Sequence, residues 1–245
     1  MIALTRSVLH MAWILITVIP WGLTLVVISV WVHRTPLWWF AVNWFRVVIW
    51  GTRVLLGVRV QVSGMENLPT GVNSPAILLC KHQSTLETLL LPTLMPRPLA
   101  FVFKRELLRI PFFGWSMARL DMIHINRESR AQAMKHVVAQ GKLLLAQGVW
   151  IIMFPEGTRM VRGQKGTYQT AGTRLAVETG APVIPIAVSS GQCWPRHGFI
   201  KRAGLVQVSV GAAIPSAGRE PKELMREVEA WIEAEMRRID PEAYR

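Results

Sequence analysis

Short apolar runs alternate with helical patterns along the chain from residue 58 onward. The runs that predict strands lie at 58–62, 75–80, 99–103, 121–125, 149–154, 182–188 and 205–210. The patterns that predict helices lie at 84–94, 112–119, 128–147, 169–179 and 221–238. Strands that alternate with helices are typical of an α/β domain, so we predict a mixed, largely parallel sheet flanked by helices.

The first part of the chain is built differently, from two long apolar segments. No side chain between Arg6 and Arg34 is charged at neutral pH unless a histidine is protonated. Residues 11–32 would form a helix of about 33 Å, long enough for a hydrocarbon layer of about 30 Å. The segment 37–56 mixes four tryptophans with two arginines, a combination that suits the headgroup level of a bilayer.

These segments predict an N-terminal membrane-associated helical hairpin over residues 1–57, followed by an α/β domain over 58–245. The sequence leaves open whether the hairpin spans the bilayer or dips into one leaflet. We do not expect a cleaved signal peptide, because the first segment runs into His33-Arg34-Thr35-Pro36 instead of a small-residue cleavage site.

The net charge of +13 narrows the possible partners. Anionic lipid and nucleic acid both attract an excess of basic side chains. Nucleic acid is the poorer choice, because the chain has no zinc-ligand spacing, basic helix or aromatic-basic RNA motif. We therefore expect anionic membrane lipid and no nucleic acid. Two cysteines give no disulfide framework, and six scattered histidines predict neither a metal site nor a cofactor.

His82 and Glu87 follow the apolar run 76–80, where a buried strand should end. Positions five apart lie about 140° apart around a helix, so His82 must precede the helix that holds Glu87. An imidazole beside a carboxylate suits removal of a proton from a substrate hydroxyl. Two other interpretations stay open: Glu87 completes a capping box with Ser84, or Cys80 acts as a nucleophile, although buried cysteine is usually inert.

A second cluster follows the apolar run 149–154, where Pro155 leads into Glu156, Gly157, Thr158 and Arg159. The carboxyl ends of parallel strands meet at one edge of a sheet, and ligands bind there. One cluster is basic and the other is able to move protons, so we predict that both belong to one site.

Both clusters resemble motifs of the glycerolipid acyltransferases, the 1-acylglycerol-3-phosphate acyltransferase family. The block from His82 to Glu87 is similar to the first motif, His-x-x-x-x-Asp, with glutamate in place of aspartate. This replacement adds one methylene between the backbone and the carboxylate. Residues 154–159, Phe-Pro-Glu-Gly-Thr-Arg, match the third motif residue for residue, which is the most specific signal in the chain.

The resemblance extends in order over roughly residues 55–215. The segment 125–127 resembles the end of the second motif, and 181–186 resembles the fourth. Upstream of the second motif stand Lys104, Pro111 and Gly114.

The resemblance implies acyl transfer without a covalent enzyme intermediate, from acyl-CoA or acyl-ACP to the sn-2 hydroxyl of 1-acylglycerol 3-phosphate. It assigns His82 and Glu87 to catalysis. It assigns the acceptor phosphate to Arg127, Glu156, Gly157, Thr158, Arg159 and Lys104. Arginine suits this role because its guanidinium binds phosphate oxygens with two parallel hydrogen bonds. Read without the resemblance, the simplest interpretation pairs Glu156 with Arg159 across the turn and leaves Arg127 as a solvated residue that heads the next helix.

The expected product is phosphatidate, made at the cytoplasmic face of a membrane, which for a bacterium is the inner membrane. Alternatives are an acyltransferase for another lysolipid, a lipid-binding module without activity, and a thioesterase that uses water. The donor, the preferred chain length and the oligomeric state stay open.

Overall fold

The computed structural model describes residues 1–71, 74–125 and 130–244, without the side chains of 130 and 131. Its α-helices are α1 (Ile2–Ile28), α2 (Arg34–Leu56), α3 (Leu86–Leu94), α4 (Phe113–Met117), α5 (Arg130–Ala146), α6 (Ala171–Thr179) and α7 (Pro221–Ile239). Its strands are β1 (Val58–Ser63), β2 (Ile77–Cys80), β3 (Leu99–Lys104), β4 (Ile123–Ile125), β5 (Trp150–Met153), β6 (Val183–Val188) and β7 (Gly204–Val210).

The strands form one sheet in the order β1-β7-β6-β2-β5-β3-β4. Five neighbouring pairs are parallel, and only β6 and β7 run antiparallel. The predicted mixed, largely parallel sheet is therefore confirmed, and β2 and β5 lie side by side at its centre. Their carboxyl ends point to the same edge.

The central strand β2 is buried on both faces, which explains its continuous apolar run. Leu78 and Cys80 pack into the cluster that α2 and α3 cover. Ile77 and Leu79 point the other way, into the cluster that α5, α6 and α7 cover. This alternation follows from the two-residue period of a strand, and it places helices on both faces of the sheet.

Each predicted strand and helix of the α/β region overlaps an observed one, and the predicted start of α5 at 128 lies outside the described residues. The first apolar helix differs from its predicted bounds, since α1 runs from Ile2 to Ile28 instead of 11–32. No residue before position 11 breaks a helix, whereas a turn at 29–31 ends α1 early.

The two N-terminal helices pack as a hairpin joined by tryptophan hydrogen bonds. The indole N–H of Trp13 donates to the carbonyl of Val47 at 3.1 Å, and that of Trp21 donates to Phe40 at 3.0 Å. Trp44 on α2 donates to the Thr17 hydroxyl at 3.2 Å. Trp44, one of the tryptophans that the sequence analysis assigned to the headgroup level, thus also helps to hold the hairpin together.

The two helices differ in how much of their apolar surface is buried. One face of α2 joins the main core, and its fully buried members include Val42, Val48 and Leu56. By contrast, α1 exposes most of its apolar side chains, and among the described residues it is the one helix long and apolar enough to cross a membrane. The domain division at residue 57 stays a prediction, because α2 packs against the sheet of the second region.

Candidate active site

The two sequence clusters meet around His82, just beyond the carboxyl end of β2. The backbone N–H of His82 donates to Oε2 of Glu156 at 3.0 Å, and its carbonyl accepts the N–H of Met160 at 2.7 Å. The imidazole stacks on the Phe154 ring, with centroids 3.9 Å apart and planes 18° apart. His82 is thus held from three sides by the segment that contains the second cluster.

Glu87 lies behind the imidazole and is fully buried. Its Oε2 is 3.6 Å from Nδ1 of His82, slightly longer than a hydrogen bond. That Nδ1 is buried and has no hydrogen-bond partner among the described residues. A small closure would allow Nδ1–H to donate to the carboxylate, and catalytic hydrogen bonds are often long before substrate binds.

The Glu87 carboxylate also orders the chain that leads into α3. It accepts the backbone N–H groups of Gln83 at 2.9 Å and Ser84 at 2.9 Å, and the Ser190 hydroxyl as well. The Ser84 hydroxyl accepts the N–H of Leu86 at 2.9 Å. Helix α3 begins at Leu86 and its N-cap is Thr85. Ser84, which the capping-box interpretation places at the N-cap, therefore stands one residue before it. Glu87 therefore both stabilises the helix start and lies beside the imidazole.

Cys80, the other candidate nucleophile, is fully buried at the end of β2. Burial raises the pKa of its thiol well above the ordinary value, and the Glu87 and Glu156 carboxylates raise it further. A protonated, inaccessible thiol is a poor nucleophile, so the geometry favours His82 as the reactive group.

Glu156 faces inward, toward the buried side chain of Lys81. Its Oε1 lies 2.7 Å from the ammonium of Lys81, and both side chains are fully buried. Burial raises the pKa of the Glu156 carboxyl, while the Lys81 charge and the N–H groups of His82 and Gly166 oppose that rise. Glu156 thus pairs with Lys81, whereas the simplest reading of the sequence paired it with Arg159.

The turn after Glu156 presents its polar groups outward. Gly157 has a φ of +66°, a conformation that side chains rarely adopt, although a Cβ there would meet no atom within 4 Å. Thr158 is exposed. Arg159 is half-buried, and within the described ranges no acidic side chain pairs with it and its Nε has no partner. Its guanidinium therefore has hydrogen-bonding capacity that the described residues do not use.

The remaining expected phosphate ligands stand further along the same edge. Lys104 is exposed at the carboxyl end of β3, the strand next to β5. Arg127 lies outside the described residues, two positions after β4 ends at Ile125.

Sequence reasoning missed two groups that support the site. Lys81 stands next to His82, but its partners are 75 and 152 positions away, so no local pattern reveals them. Ser190 reaches Glu87 from the turn after β6, 103 positions along the chain. The only sequence signal was a lysine directly after an apolar strand.

Comparisons with known proteins agree with this geometry. A family model described as Acyltransferase matches residues 59–189. The chain is 45% identical over 202 residues to the 1-acyl-sn-glycerol-3-phosphate acyltransferase of Pseudomonas aeruginosa, covering 81% of this chain and 77% of that protein. It is 30% identical to the human 1-acyl-sn-glycerol-3-phosphate acyltransferase alpha, covering 73% of this chain and 63% of that protein.

The fold is also similar to a solved structure. The crystal structure of the 1-acyl-sn-glycerophosphate (LPA) acyltransferase PlsC from Thermotoga maritima superposes with a TM-score of 0.79 at 22% identity. The match covers 96% of this chain and 95% of that one. It therefore includes the N-terminal helices as well as the sheet.

Proposed function

Because this chain belongs to the acyltransferase family, we propose that it transfers an acyl chain from a thioester to the sn-2 hydroxyl of 1-acylglycerol 3-phosphate, which yields phosphatidate. The observation that carries the proposal is Nδ1 of His82, buried 3.6 Å from the Glu87 carboxylate and without a hydrogen-bond partner among the described residues. Arg159, which pairs with no acidic side chain in the described ranges, lies in the turn that holds His82 in place.

His82 acts as the general base in this mechanism. Its Nε2 takes the proton of the acceptor hydroxyl while the oxygen attacks the thioester carbonyl, and the imidazolium then protonates the departing thiolate. Glu87 accepts a hydrogen bond from Nδ1–H, which keeps Nε2 free to act as the base and stabilises the imidazolium that forms. A positioned base of this kind contributes about 10²- to 10⁴-fold in rate. The substrate hydroxyl is the nucleophile, so the enzyme forms no covalent intermediate.

The acceptor phosphate is bound by the side chains of Thr158, Arg159 and Lys104, which we call the basic edge. Arg159 provides a guanidinium that can form two parallel hydrogen bonds to phosphate oxygens, and Thr158 and Lys104 provide further donors. We include Arg127 in this set on its sequence position alone. Glu156 and Gly157 support the site without contacting the phosphate, because the carboxylate is engaged by Lys81 and the glycine sets the turn.

The N-terminal hairpin brings this site to its lipid substrate. On α1 a row of exposed apolar side chains includes Ile16, Ile19, Leu23 and Val27. Exposed apolar side chains aligned along one helix are typical of a surface that contacts membrane or protein. Because both substrate and product are lipids, we propose that this row enters the cytoplasmic leaflet, with arginines of the hairpin meeting anionic headgroups.

An assay of the purified full-length protein with radiolabelled thioester tests the reaction. We expect labelled phospholipid only when lysophosphatidate is added, with acyl-CoA and acyl-ACP compared as donors. Free fatty acid without acceptor would indicate a thioesterase, and no turnover with either donor would indicate a binding module. If monoacylglycerol were acylated equally well, the basic edge would have to serve the phosphates of the donor.

Vesicle flotation tests the membrane contact. A variant with serine at Ile16, Leu23 and Val27 should lose most of its binding to anionic vesicles. Leu143→Ser is a matched control, since Leu143 is as exposed but lies on α5. Unchanged flotation of the triple variant in high salt would place the membrane contact elsewhere.

A further inference from the structure

The C-terminal helix α7 contacts both active-site segments from behind the sheet edge. It lies beyond residue 189, where the family match ends. Two acidic side chains make these contacts: Glu233 within the helix and Asp240 at its C-cap, both buried.

Glu233 reaches the active site through Lys81. The Lys81 ammonium donates to Glu156 at 2.7 Å, to Glu233 at 2.7 Å and to the carbonyl of Gln164 at 3.1 Å, so its three N–H bonds are all used. Tyr168 donates its hydroxyl to Glu233 at 2.8 Å. A continuous path thus leads from the backbone N–H of His82 through Glu156 and Lys81 to α7.

Asp240 contacts the segment that follows Arg159 through Arg162. The guanidinium of Arg162 donates two hydrogen bonds to the Asp240 carboxylate, at 2.8 Å and 2.6 Å. Beside it, Gly163 packs so closely against the segment after α7 that a Cβ would lie 2.3 Å from the carbonyl oxygen of Ala243. Arg162 stands three residues after Arg159, so this contact fixes the far side of the turn.

Stability alone is a weak explanation for these buried charges. Apolar residues of similar volume usually stabilise a core as well as a buried ion pair does, whereas charged hydrogen bonds fix positions and directions. We propose that Glu233 and Asp240 are positioning residues. Glu233 fixes His82 through Lys81 and Glu156, and Asp240 fixes the Arg159 turn through Arg162. The kinetic roles of His82 and Arg159 rest on the proposed function.

The two contacts predict different kinetic defects. Glu233→Gln preserves size and hydrogen bonding but removes the charge, so kcat should fall by about 10-fold with little change in the acceptor KM. Asp240→Asn should raise the acceptor KM by several-fold with kcat largely retained. Glu227→Gln is the matched control, because Glu227 lies on α7 but pairs with Arg219 at the surface. It should match wild type.

Imidazole NMR of full-length protein in detergent provides a readout that needs no activity. Glu233→Gln should shift the His82 ring signals, identified by their absence in His82→Gln, and Glu227→Gln should not. If Glu233→Gln does not fold, Tyr168→Phe, which removes one hydrogen bond to Glu233, should give a smaller shift of the same signals.

Unshifted His82 signals, or equal kcat and KM changes that follow the loss of melting temperature in both variants, would overturn the positioning proposal. Failure of the wild type to acylate lysophosphatidate would instead overturn the proposed function. The NMR comparison would still decide whether α7 positions His82.

Discussion

The ends of β2 and β5 each place a buried carboxylate at the active-site edge, yet the two carboxylates have different partners. Glu87, after β2, accepts hydrogen bonds from backbone N–H groups and a serine, and among the described residues the only basic side chain within 4 Å of its carboxylate is His82. Glu156, after β5, meets the ammonium of Lys81.

This difference separates two roles. The charge of Glu87 is directed toward the imidazole, where it can stabilise a proton gained during the reaction. The charge of Glu156 is taken up by a lysine and by the backbone of His82, so it holds the two segments together. We therefore expect substitutions at the β2 end to lower kcat, and substitutions in the outward part of the β5 turn to raise the acceptor KM.

The largest expected effect is that of His82→Ala. Loss of the base should lower kcat by at least about 10²-fold, while lysophosphatidate still binds. Steady-state kinetics with a binding assay will measure both, and circular dichroism will verify folding. Near-normal turnover would contradict the mechanism.

Glu87→Gln should have the next largest effect. The amide can still orient the ring but cannot stabilise the imidazolium, so kcat should fall by at least about 10-fold, less than for His82→Ala. The same kinetic assay measures it. A variant as active as wild type would reduce Glu87 to its capping contacts with Ser84.

Arg159→Lys tests the β5 side of the comparison. Lysine keeps the charge but loses the two parallel hydrogen bonds, and a charge-assisted bond contributes about 1.5–3 kcal/mol, so the acceptor KM should rise about 10-fold or more. A lysolipid without a phosphate monoester is the control and should be unaffected. A fall in kcat without a change in KM would place Arg159 with the chemistry instead.

Glu87→Asp should have the smallest effect. It introduces the residue that the related motif usually contains, and one methylene less moves the carboxylate without removing its charge. We expect measurable activity, a few-fold below wild type, in the same assay. Complete loss of activity with an intact fold would show that activity depends on the reach of the residue 87 carboxylate to the backbone N–H of Ser84.

Several residues of the candidate site could be predicted from the sequence. Periodicity placed the carboxyl end of each strand within one residue of the observed end, so it placed His82, Glu87 and Arg159 at one edge of the sheet. The motifs identified the family that the match over 59–189 confirms. The roles of these residues stay predictions. Neither Lys81 nor Ser190 was found, because their contacts join segments far apart in the chain.

The burial of the N-terminal helices could not be predicted from the sequence either. Composition identified two apolar segments, but only packing showed that α2 joins the core while α1 exposes its apolar row. Both helices are long and rich in apolar side chains, and among the described residues only α1 is apolar enough to cross a membrane. Which face of each helix is buried depends on how it meets the sheet, and no local pattern contains that information.

The sequence by itself determined the α/β class, the order of the elements and the edge where the chemistry lies. These depend on local periods, which are two residues for a strand and 3.6 for a helix. Only the tertiary structure decided the partners of the buried charges, because a buried carboxylate binds whichever donor the fold brings within about 3 Å. Glu156 therefore meets Lys81, and α7 becomes part of the support of the active site.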